Sequence, residues 1–386
     1  MTITWMRGNA LDLLENGCEF FPALQGAIDA AEAEIFLETY IFANDETGHG
    51  IAAALRRAAG RGVTVRLMVD GFGGREFVAG LMDELTAGGV NVLIYRREVT
   101  TLSLRRHRLR RLHRKLAVID GRVAFVGGIN IISDFDEPTL AAPRHDYSVR
   151  VTGPLLGPIH GSVTRVWELV SWASFRKRRR LPASPPVFPE PCGDVEAAFL
   201  IRDNLRHRRD IEDAYLLAIA AARREIVLAN AYFLPGRRFR QALLSAAKRG
   251  VRVTLLTQGW TDHPLQQRAT RALYGQFLAG GVRIFEYHRS HLHAKVAVVD
   301  DSWATVGSSN IDPFSLLLAR EANLVVRDTR FAEDLHRRIN RAMANGGREI
   351  SANGRERGSR LQRALNWAAY GLVRLMIGIA GYGNRH

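Results

Sequence analysis

An internal repeat constrains the fold of this chain more than any other feature of the sequence. Four separate segments recur in the same order, and the matched pairs are 27–42 with 218–233, 60–71 with 248–259, 87–95 with 279–287, and the segments around His113 and His293. Agreement in both sequence and order indicates one structural unit that is present twice.

Within each copy, helix-like stretches alternate with short β-branched runs that are bounded by glycine. This alternation predicts an α/β fold of two pseudo-twofold-related units, each a mixed, largely parallel sheet flanked by helices. The predicted organisation is a first unit at 1–175, a basic, proline-rich linker at 176–192, a second unit at 193–345, and a polar spacer with an apolar helix at 346–386.

The chain is strongly basic, and this surplus bears on its partners. Lysine and arginine total 54 against 39 acidic residues, so the formal charge is +15. A surplus of this size favours a polyanion, and both nucleic acid and anionic lipid qualify. Five consecutive cations at 176–180 begin the linker. They have two equally weighted interpretations, a solvated connector or a contact with anionic membrane lipid.

The C-terminal segment 361–380 is strongly apolar, but Asn366 and Arg374 interrupt it. It therefore falls short of the ~20 uninterrupted apolar residues that a membrane-spanning helix needs. The pattern favours a helix that lies in the membrane interface. The alternative is a helix docked on the core of the protein.

Two features bear on the compartment. Cys18 and Cys192 are too few and too unlike in context for a disulfide framework or a zinc site. The N-terminus lacks a basic region followed by a long apolar run, as a cleaved secretory signal would have. We expect the protein in the cytoplasm, at the cytoplasmic face of the membrane, as a peripheral or monotopic protein.

The segments around the two histidines carry the chemistry. The first contains His113, Lys115 and Asp120 and ends in Gly127-Gly128-Ile-Asn130, and the second contains His293, Lys295 and Asp300 and ends in Gly307-Ser308-Ser-Asn310. Residues two apart on a strand share a face, so each histidine projects beside its lysine. Two copies with identical spacing, at equivalent places in a duplicated unit, predict one site built from both halves.

These segments resemble the two HKD motifs, His-x-Lys-x₄-Asp with a following Gly/Ser-rich turn and Asn, of the phospholipase D superfamily. The Gly-Gly-Ile-Asn ending of the first motif is similar to that of bacterial cardiolipin synthases, as are Val306-Gly-Ser-Ser-Asn-Ile-Asp-Pro-Phe and Arg320-Glu-Ala-Asn323 in the second unit. The resemblance is to the shorter forms of these enzymes, which lack N-terminal spanning helices.

The residue types fit transfer at a phosphodiester. One histidine attacks phosphorus while the other protonates the leaving alcohol and later deprotonates the incoming one. Lysines 115 and 295 neutralise the non-bridging oxygens, so we expect neither a cofactor nor a metal. The remaining candidates for phosphate binding are Asn130 and Asn310 as hydrogen-bond donors, with Gly128 and Ser308 beside them. The sequence does not decide which histidine attacks, although we favour His113.

The family resemblance implies that a carboxylate about thirty residues after each histidine fixes its tautomer. Glu321 fits this role in the second unit, and Asp146 is the candidate in the first. Asp120 and Asp300 belong to the motifs but have the opposite strand parity to the histidines. We therefore expect them at strand ends, where they would organise the interface between the units.

These features predict a phosphatidyltransferase that makes cardiolipin. The enzyme would move a phosphatidyl group from phosphatidylglycerol to a second phospholipid, phosphatidylglycerol or phosphatidylethanolamine, through a phosphatidyl-histidine. A phospholipase D-type hydrolase or an endonuclease is the enzymatic alternative, and a non-catalytic lipid-binding protein is the other. The expected partners are anionic phospholipids, not nucleic acid, and a site built within one chain needs no oligomer.

Overall fold

The structure of the chain is a computed structural model, which describes residues 3–96, 110–135, 142–173, 184, 187, 189–203, 206–260, 264–312, 319–351 and 360–379. Most of the predicted linker lies outside these described residues, as does most of the polar spacer. No helix in the described ranges is long and apolar enough to cross a membrane.

The first unit contains seven strands and five helices among its described residues. In chain order they are β1 (Met6–Glu15), α1 (Asn16–Asp29), β2 (Glu34–Thr39), α2 (Glu46–Gly60), β3 (Thr64–Asp70), α3 (Arg75–Gly80), α4 (Met82–Ala87), β4 (Asn91–Tyr95), β5 (Lys115–Ile119), β6 (Val123–Gly127), β7 (Tyr147–Thr152) and α5 (Leu156–Ala173).

The second unit repeats this order in its described part, except that one helix, α8, takes the place of α3 and α4, and it adds a strand and a helix at its end. Its elements are β8 (Val195–Arg202), α6 (Asp210–Ala221), β9 (Glu225–Asn230), α7 (Arg237–Lys248), β10 (Arg252–Gln258), α8 (Pro264–Ala279), β11 (Arg283–Tyr287), β12 (Lys295–Val299), β13 (Trp303–Gly307), β14 (Glu321–Arg327), α9 (Thr329–Gly346), β15 (Gly347–Glu349) and α10 (Arg360–Ile379).

The two units share one sheet of fifteen strands, whose order is β15-β11-β10-β9-β12-β13-β14-β8-β1-β7-β6-β5-β2-β3-β4. Reading outward from the β8–β1 junction, both units have the same strand order, which confirms the pseudo-twofold duplication. The prediction of mixed sheets is also confirmed. Its largely parallel character is wrong, because among the described strands only β2–β3, β3–β4, β9–β10 and β10–β11 are parallel pairs.

The antiparallel majority has a local cause. Each HKD strand turns back after a tight turn into the next strand, so β5–β6 and β12–β13 form hairpins. Such short connections join only antiparallel strands, whereas parallel pairs need a crossover. The predicted spacer also requires a correction, because its first residues form β15, which pairs with β11 at the outer edge of the sheet.

Apolar side chains form packed cores on both faces of the sheet. One core cluster lies against α1, α2 and α4 in the first unit, and another lies against α6, α7 and α8 in the second. A third cluster runs through both units and includes side chains of α5 and α9. Because this third cluster and the sheet are continuous across the junction, the two halves are held in one fixed relation.

Candidate active site

Two short β-bridges across the junction position the histidines. Leu112 pairs with Arg320 and Leu292 pairs with His145, so the residue before each motif histidine is bound to the other unit. The backbone N–H of His113 donates to the Arg320 carbonyl at 3.0 Å, and that of His293 donates to the His145 carbonyl at 2.8 Å. Each histidine therefore enters the cleft next to the strand start of the opposite unit.

The carboxylates consequently cross the interface. Nδ1 of His113 lies 3.0 Å from Oε1 of Glu321, and Nδ1 of His293 lies 2.5 Å from Oδ2 of Asp146. Both orienting residues were identified in the sequence, but the expected partners within one unit were wrong. The bridges explain the exchange, because Glu321 directly follows the partner of Leu112 and Asp146 directly follows the partner of Leu292.

Both lysines are buried beside their histidines. Nζ of Lys115 donates to the His113 carbonyl at 2.6 Å, and Nζ of Lys295 donates to the His293 carbonyl. Burial is the main cause that lowers the pKa of Lys115 to about 7 and the pKa of Lys295 to about 8. A phosphate anion that binds beside these lysines stabilises their charged form, since it compensates the buried positive charge.

The histidines favour the neutral form required of a nucleophile. Burial lowers the pKa of His113, and the Glu321 carboxylate opposes this effect. Burial also lowers the pKa of His293 well below its ordinary value, and the neighbouring Lys295, Lys115 and His113 lower it further. The motif residues of both units thus share one electrostatic environment. The two imidazoles keep 16% and 12% of their side-chain surface exposed, which leaves them accessible from the cleft.

Gly128 and Ser308 occupy equivalent positions but serve the carboxylates. Oγ of Ser308 donates to Oε2 of Glu321 at 2.6 Å. Gly128 leaves room for the other carboxylate, because a Cβ at this position would collide with the oxygens of Asp146. The Gly128 N–H donates to the Tyr147 carbonyl and the Ser308 N–H to the Ala322 carbonyl, so neither amide faces phosphate. We therefore reassign both residues from phosphate binding to support of the carboxylates.

Asn130 and Asn310 are buried at the ends of the two turns that follow β6 and β13. Oδ1 of Asn130 accepts a hydrogen bond from the Ile41 N–H at 3.1 Å. This bond fixes the amide plane at the C-terminal end of β2. In the second unit, Oδ1 of Asn230 accepts from the Ile311 N–H, so the chain next to Asn310 is fixed by a different residue.

Asp120 and Asp300 lie at strand ends, as expected, but they do not organise the interface between the units. The Asp120 carboxylate accepts the N–H groups of residues 32, 33 and 34 at 2.8 Å, and Asp300 accepts those of residues 223, 224 and 225 at 2.8–2.9 Å. Each ties its hairpin turn to the start of a neighbouring strand in its own unit. This turn lies roughly 17 Å along the strand from the motif lysine, given about 3.3 Å per residue.

The sequence analysis missed two positioning residues at the ends of equivalent strands. Asp70 ends β3, and its Oδ2 accepts the N–H of Leu112 at 2.8 Å. Gln258 ends β10, and its Oε1 accepts the N–H of Leu292 at 2.6 Å. Each therefore fixes the residue before a motif histidine. The repeat aligns Asp70 with Gln258, but the different residue types concealed their common role.

Tyr40 also lies in the site. Its ring packs edge-on against the His113 imidazole, with centroids 5.0 Å apart, and Nζ of Lys115 lies 5.5 Å from the ring centroid. Burial raises the pKa of Tyr40 to about 12, so the phenol stays neutral at physiological pH. The corresponding residue of the second unit is Ala231, and the two halves of the cleft therefore differ in shape.

Comparison with known proteins agrees with this architecture. A family model described as "Cardiolipin synthase, PLD-like domain" matches residues 24–134 and 215–343. Cardiolipin synthase B of Salmonella typhi is 42% identical over 91% of this chain and 84% of its own length. The corresponding protein of Escherichia coli K12 is 41% identical over 89% and 83%. The major cardiolipin synthase of Bacillus subtilis is 30% identical over 85% and 67%.

Among solved structures, the crystal structure of phosphatidylserine synthase from Haemophilus influenzae superposes with a TM-score of 0.65. It covers 96% of this chain and 94% of that chain at 14% identity, which supports the fold alone.

The chain belongs to the cardiolipin synthase family of phospholipase D-like proteins. The family relation agrees with the fold, in which two HKD-bearing units share one sheet. Its function is accordingly that of a cardiolipin synthase, a phosphatidyltransferase of phospholipid biosynthesis.

Proposed function

We propose that the chain takes a phosphatidyl group from phosphatidylglycerol and transfers it to a hydroxyl of a second phospholipid through a phosphatidyl-histidine. The observation that carries this proposal is the crossed arrangement of two histidines, each bound at Nδ1 by a buried carboxylate. A carboxylate on Nδ1 fixes the proton there and leaves Nε2 of each ring for chemistry.

In the first step, Nε2 of one histidine attacks phosphorus and forms a P–N bond. The P–O bond to the glycerol headgroup breaks, and the departing oxygen takes a proton from Nε2 of the other histidine, which the negative charge of the bound phosphodiester keeps protonated despite its lowered pKa. Lysines 115 and 295 compensate the charge on the non-bridging oxygens. The amide groups of Asn130 and Asn310 donate hydrogen bonds to the same oxygens.

In the second step, the hydroxyl of the acceptor lipid gives its proton to the histidine that acted as acid. The hydroxyl oxygen attacks phosphorus, the P–N bond breaks, and both rings return to their starting states. With a second phosphatidylglycerol as acceptor, the product is cardiolipin and the released headgroup is glycerol. Because both half-sites come from one chain, the reaction needs no second copy.

We further propose that this chemistry occurs at the cytoplasmic face of the membrane, where the substrates are anionic lipids. The net charge of +15 favours such a surface.

The decisive experiment incubates the purified protein with phosphatidylglycerol vesicles, with and without phosphatidylethanolamine, in the presence of a metal chelator. Lipid products are resolved by mass spectrometry, and we expect cardiolipin together with free glycerol. Replacement of either histidine, His113→Ala or His293→Ala, abolishes the product. The matched control is His207→Ala, because His207 is 43% exposed and bonded to Asp210 on the surface.

Two results would contradict the proposal. Phosphatidic acid as the sole product would identify water as the acceptor and the chain as a hydrolase. Full cardiolipin synthesis by either histidine variant would place the chemistry elsewhere.

A further inference from the structure

We propose that the outer apolar stripe of α10 docks the enzyme on an anionic bilayer as a fixed part of the second unit. This inference rests on the proposed function, since it assigns the surface through which the site meets its lipids.

The helix is anchored to the protein by one face. It packs along α8, and Ala369 and Val373 are buried there, 6% and 2% exposed. Val373 belongs to the core cluster of the second unit, and Tyr370 packs against that cluster. The helix is therefore held in one orientation relative to the sheet, which fixes the direction of its exposed faces.

A neighbouring face of α10 is apolar and open to solvent. The exposed large apolar side chains that follow this face are Leu361, Leu365, Leu372, Leu375 and Met376. Their successive separations of four, seven, three and one residues keep them within a sector of about 100° at 3.6 residues per turn. Leu361 and Leu375 are 69% and 59% exposed. A stripe of this length in water indicates an apolar partner.

Charge identifies that partner as an anionic membrane surface. The sequence of α10 contains no acidic residue, and its exposed cations Arg363 and Arg374 lie on the side of the helix away from the stripe. Trp367, also exposed, lies on the same flank as the arginines. A helix with an apolar stripe on one side and cations with an aromatic ring on another fits the boundary between acyl chains and anionic headgroups.

Another side of α10 is connected to the active-site edge of the sheet. Trp367 and His288 line the same cavity, and His288 directly follows β11. The indole N–H of Trp260 donates to the His288 carbonyl, and Trp260 is itself 50% exposed just after Gln258. The helix that would hold the bilayer is thus connected, on its other side, to the end of β10 where Gln258 fixes the approach to His293.

The test uses the full chain and measures binding to vesicles by co-sedimentation. The vesicles contain phosphatidylglycerol in phosphatidylcholine, or phosphatidylcholine alone. We expect Leu375→Glu to weaken binding roughly tenfold or more, because a leucine leaves the apolar phase and a charge replaces it. The matched control is Leu217→Glu on α6, where an equally exposed leucine, at 55%, lies outside the stripe. This control binds like the unsubstituted protein.

Arg374→Gln is an independent test. We expect it to weaken binding to the anionic vesicles and to leave binding to phosphatidylcholine unchanged. Thermal unfolding of each variant establishes that the fold is intact. Should Leu375→Glu retain full vesicle binding, the proposed docking surface is wrong. It is also wrong if this substitution only converts a dimer to a monomer, because the stripe would then bind a second copy.

Turnover of monomeric, short-chain phosphatidylglycerol by the unsubstituted protein tests the chemistry separately. No cardiolipin in that assay would count against the proposed function, whatever the vesicle binding shows.

Discussion

Glu321 of the second unit binds Nδ1 of His113 in the first unit, with both carboxylate oxygens 3.0–3.1 Å from that nitrogen. Asp146 and His293 form the reciprocal pair. Orientation of each reactive ring therefore depends on the half of the chain that does not carry it. The tautomer that leaves Nε2 free for chemistry is therefore fixed by contacts between the two units.

Removal of one carboxylate should affect the histidine of the opposite unit. We expect Glu321→Gln to reduce kcat by about 10²- to 10⁴-fold, since a neutral amide no longer holds the proton on Nδ1. Because the Glu321 charge raises the pKa of His113, the variant should lower that pKa further. Histidine NMR titration measures the change. A shift at His293 with none at His113 would contradict the crossed pairing.

The lysines predict a loss of substrate affinity in alkali. With the pKa of Lys115 lowered to about 7 and that of Lys295 to about 8, both charges decline as pH rises through this range. We expect the KM for phosphatidylglycerol to increase between pH 7 and 9, while a bound phosphate partly restores protonation. Steady-state kinetics across this range test the expectation. Lys248→Met, at an exposed position of α7, should leave the profile unchanged, and a flat profile in the unsubstituted enzyme would contradict the assignment.

Asp70 predicts a second pH dependence, on the acidic side. Burial raises its pKa to about 6, so below this pH the carboxyl group becomes neutral and holds the Leu112 N–H less strongly. We expect kcat to fall below pH 6. In Asp70→Asn this decline should be smaller, because the variant has no carboxyl group to protonate at this position. At pH 7.5 the variant should lose roughly tenfold in kcat, equivalent to about 1.4 kcal/mol, with little change in KM.

The control for this position is Asp12→Asn, which removes an exposed carboxylate that pairs with Arg150. If kcat of Asp70→Asn falls below pH 6 as it does in the unsubstituted protein, the decline comes from another group.

Asp120 should matter for stability and not for the chemical step. Asp120→Ala removes the acceptor of three backbone N–H groups, and we expect the free energy of unfolding to fall by about 2–3 kcal/mol. Urea unfolding measures this loss. Activity per folded molecule at 20 °C should stay within about twofold, since the carboxylate lies far from phosphorus. A variant as stable as the unsubstituted protein but inactive would restore a chemical role to Asp120.

Asp300 adds a dependence on pH to the equivalent turn. Its partial burial acts to raise its pKa, but the N–H donors of residues 223–225 prevail and hold the pKa below its ordinary value. The folded state therefore binds a proton less readily than the unfolded state. This contribution is present above about pH 4 and is lost as pH falls through the lowered pKa. Asp300→Asn should flatten that part of the stability profile.

Local patterns in the sequence predicted much of this molecule. The repeat predicted the duplicated α/β unit, and the motif spacing identified His113, Lys115, His293 and Lys295, which the structure brings to one interface. Periodicity reports which residues share a face but not which strand lies alongside. Periodicity therefore could not predict the antiparallel pairs or the exchange of Glu321 and Asp146 between the units. The role shared by Asp70 and Gln258 was concealed because one copy uses a carboxylate and the other an amide.

The junction between β1 and β8 limits how this gene can be divided. Asn9 is buried there, and its side-chain N–H groups donate to the carbonyls of Met6 and Val195. A fragment ending at residue 175 would leave β1 with an unpaired backbone edge. Such edges recruit other chains, so the isolated half should self-associate instead of remaining a monomer. The expected product is a symmetric homodimer, in which the β1 edges of two identical halves pair with each other.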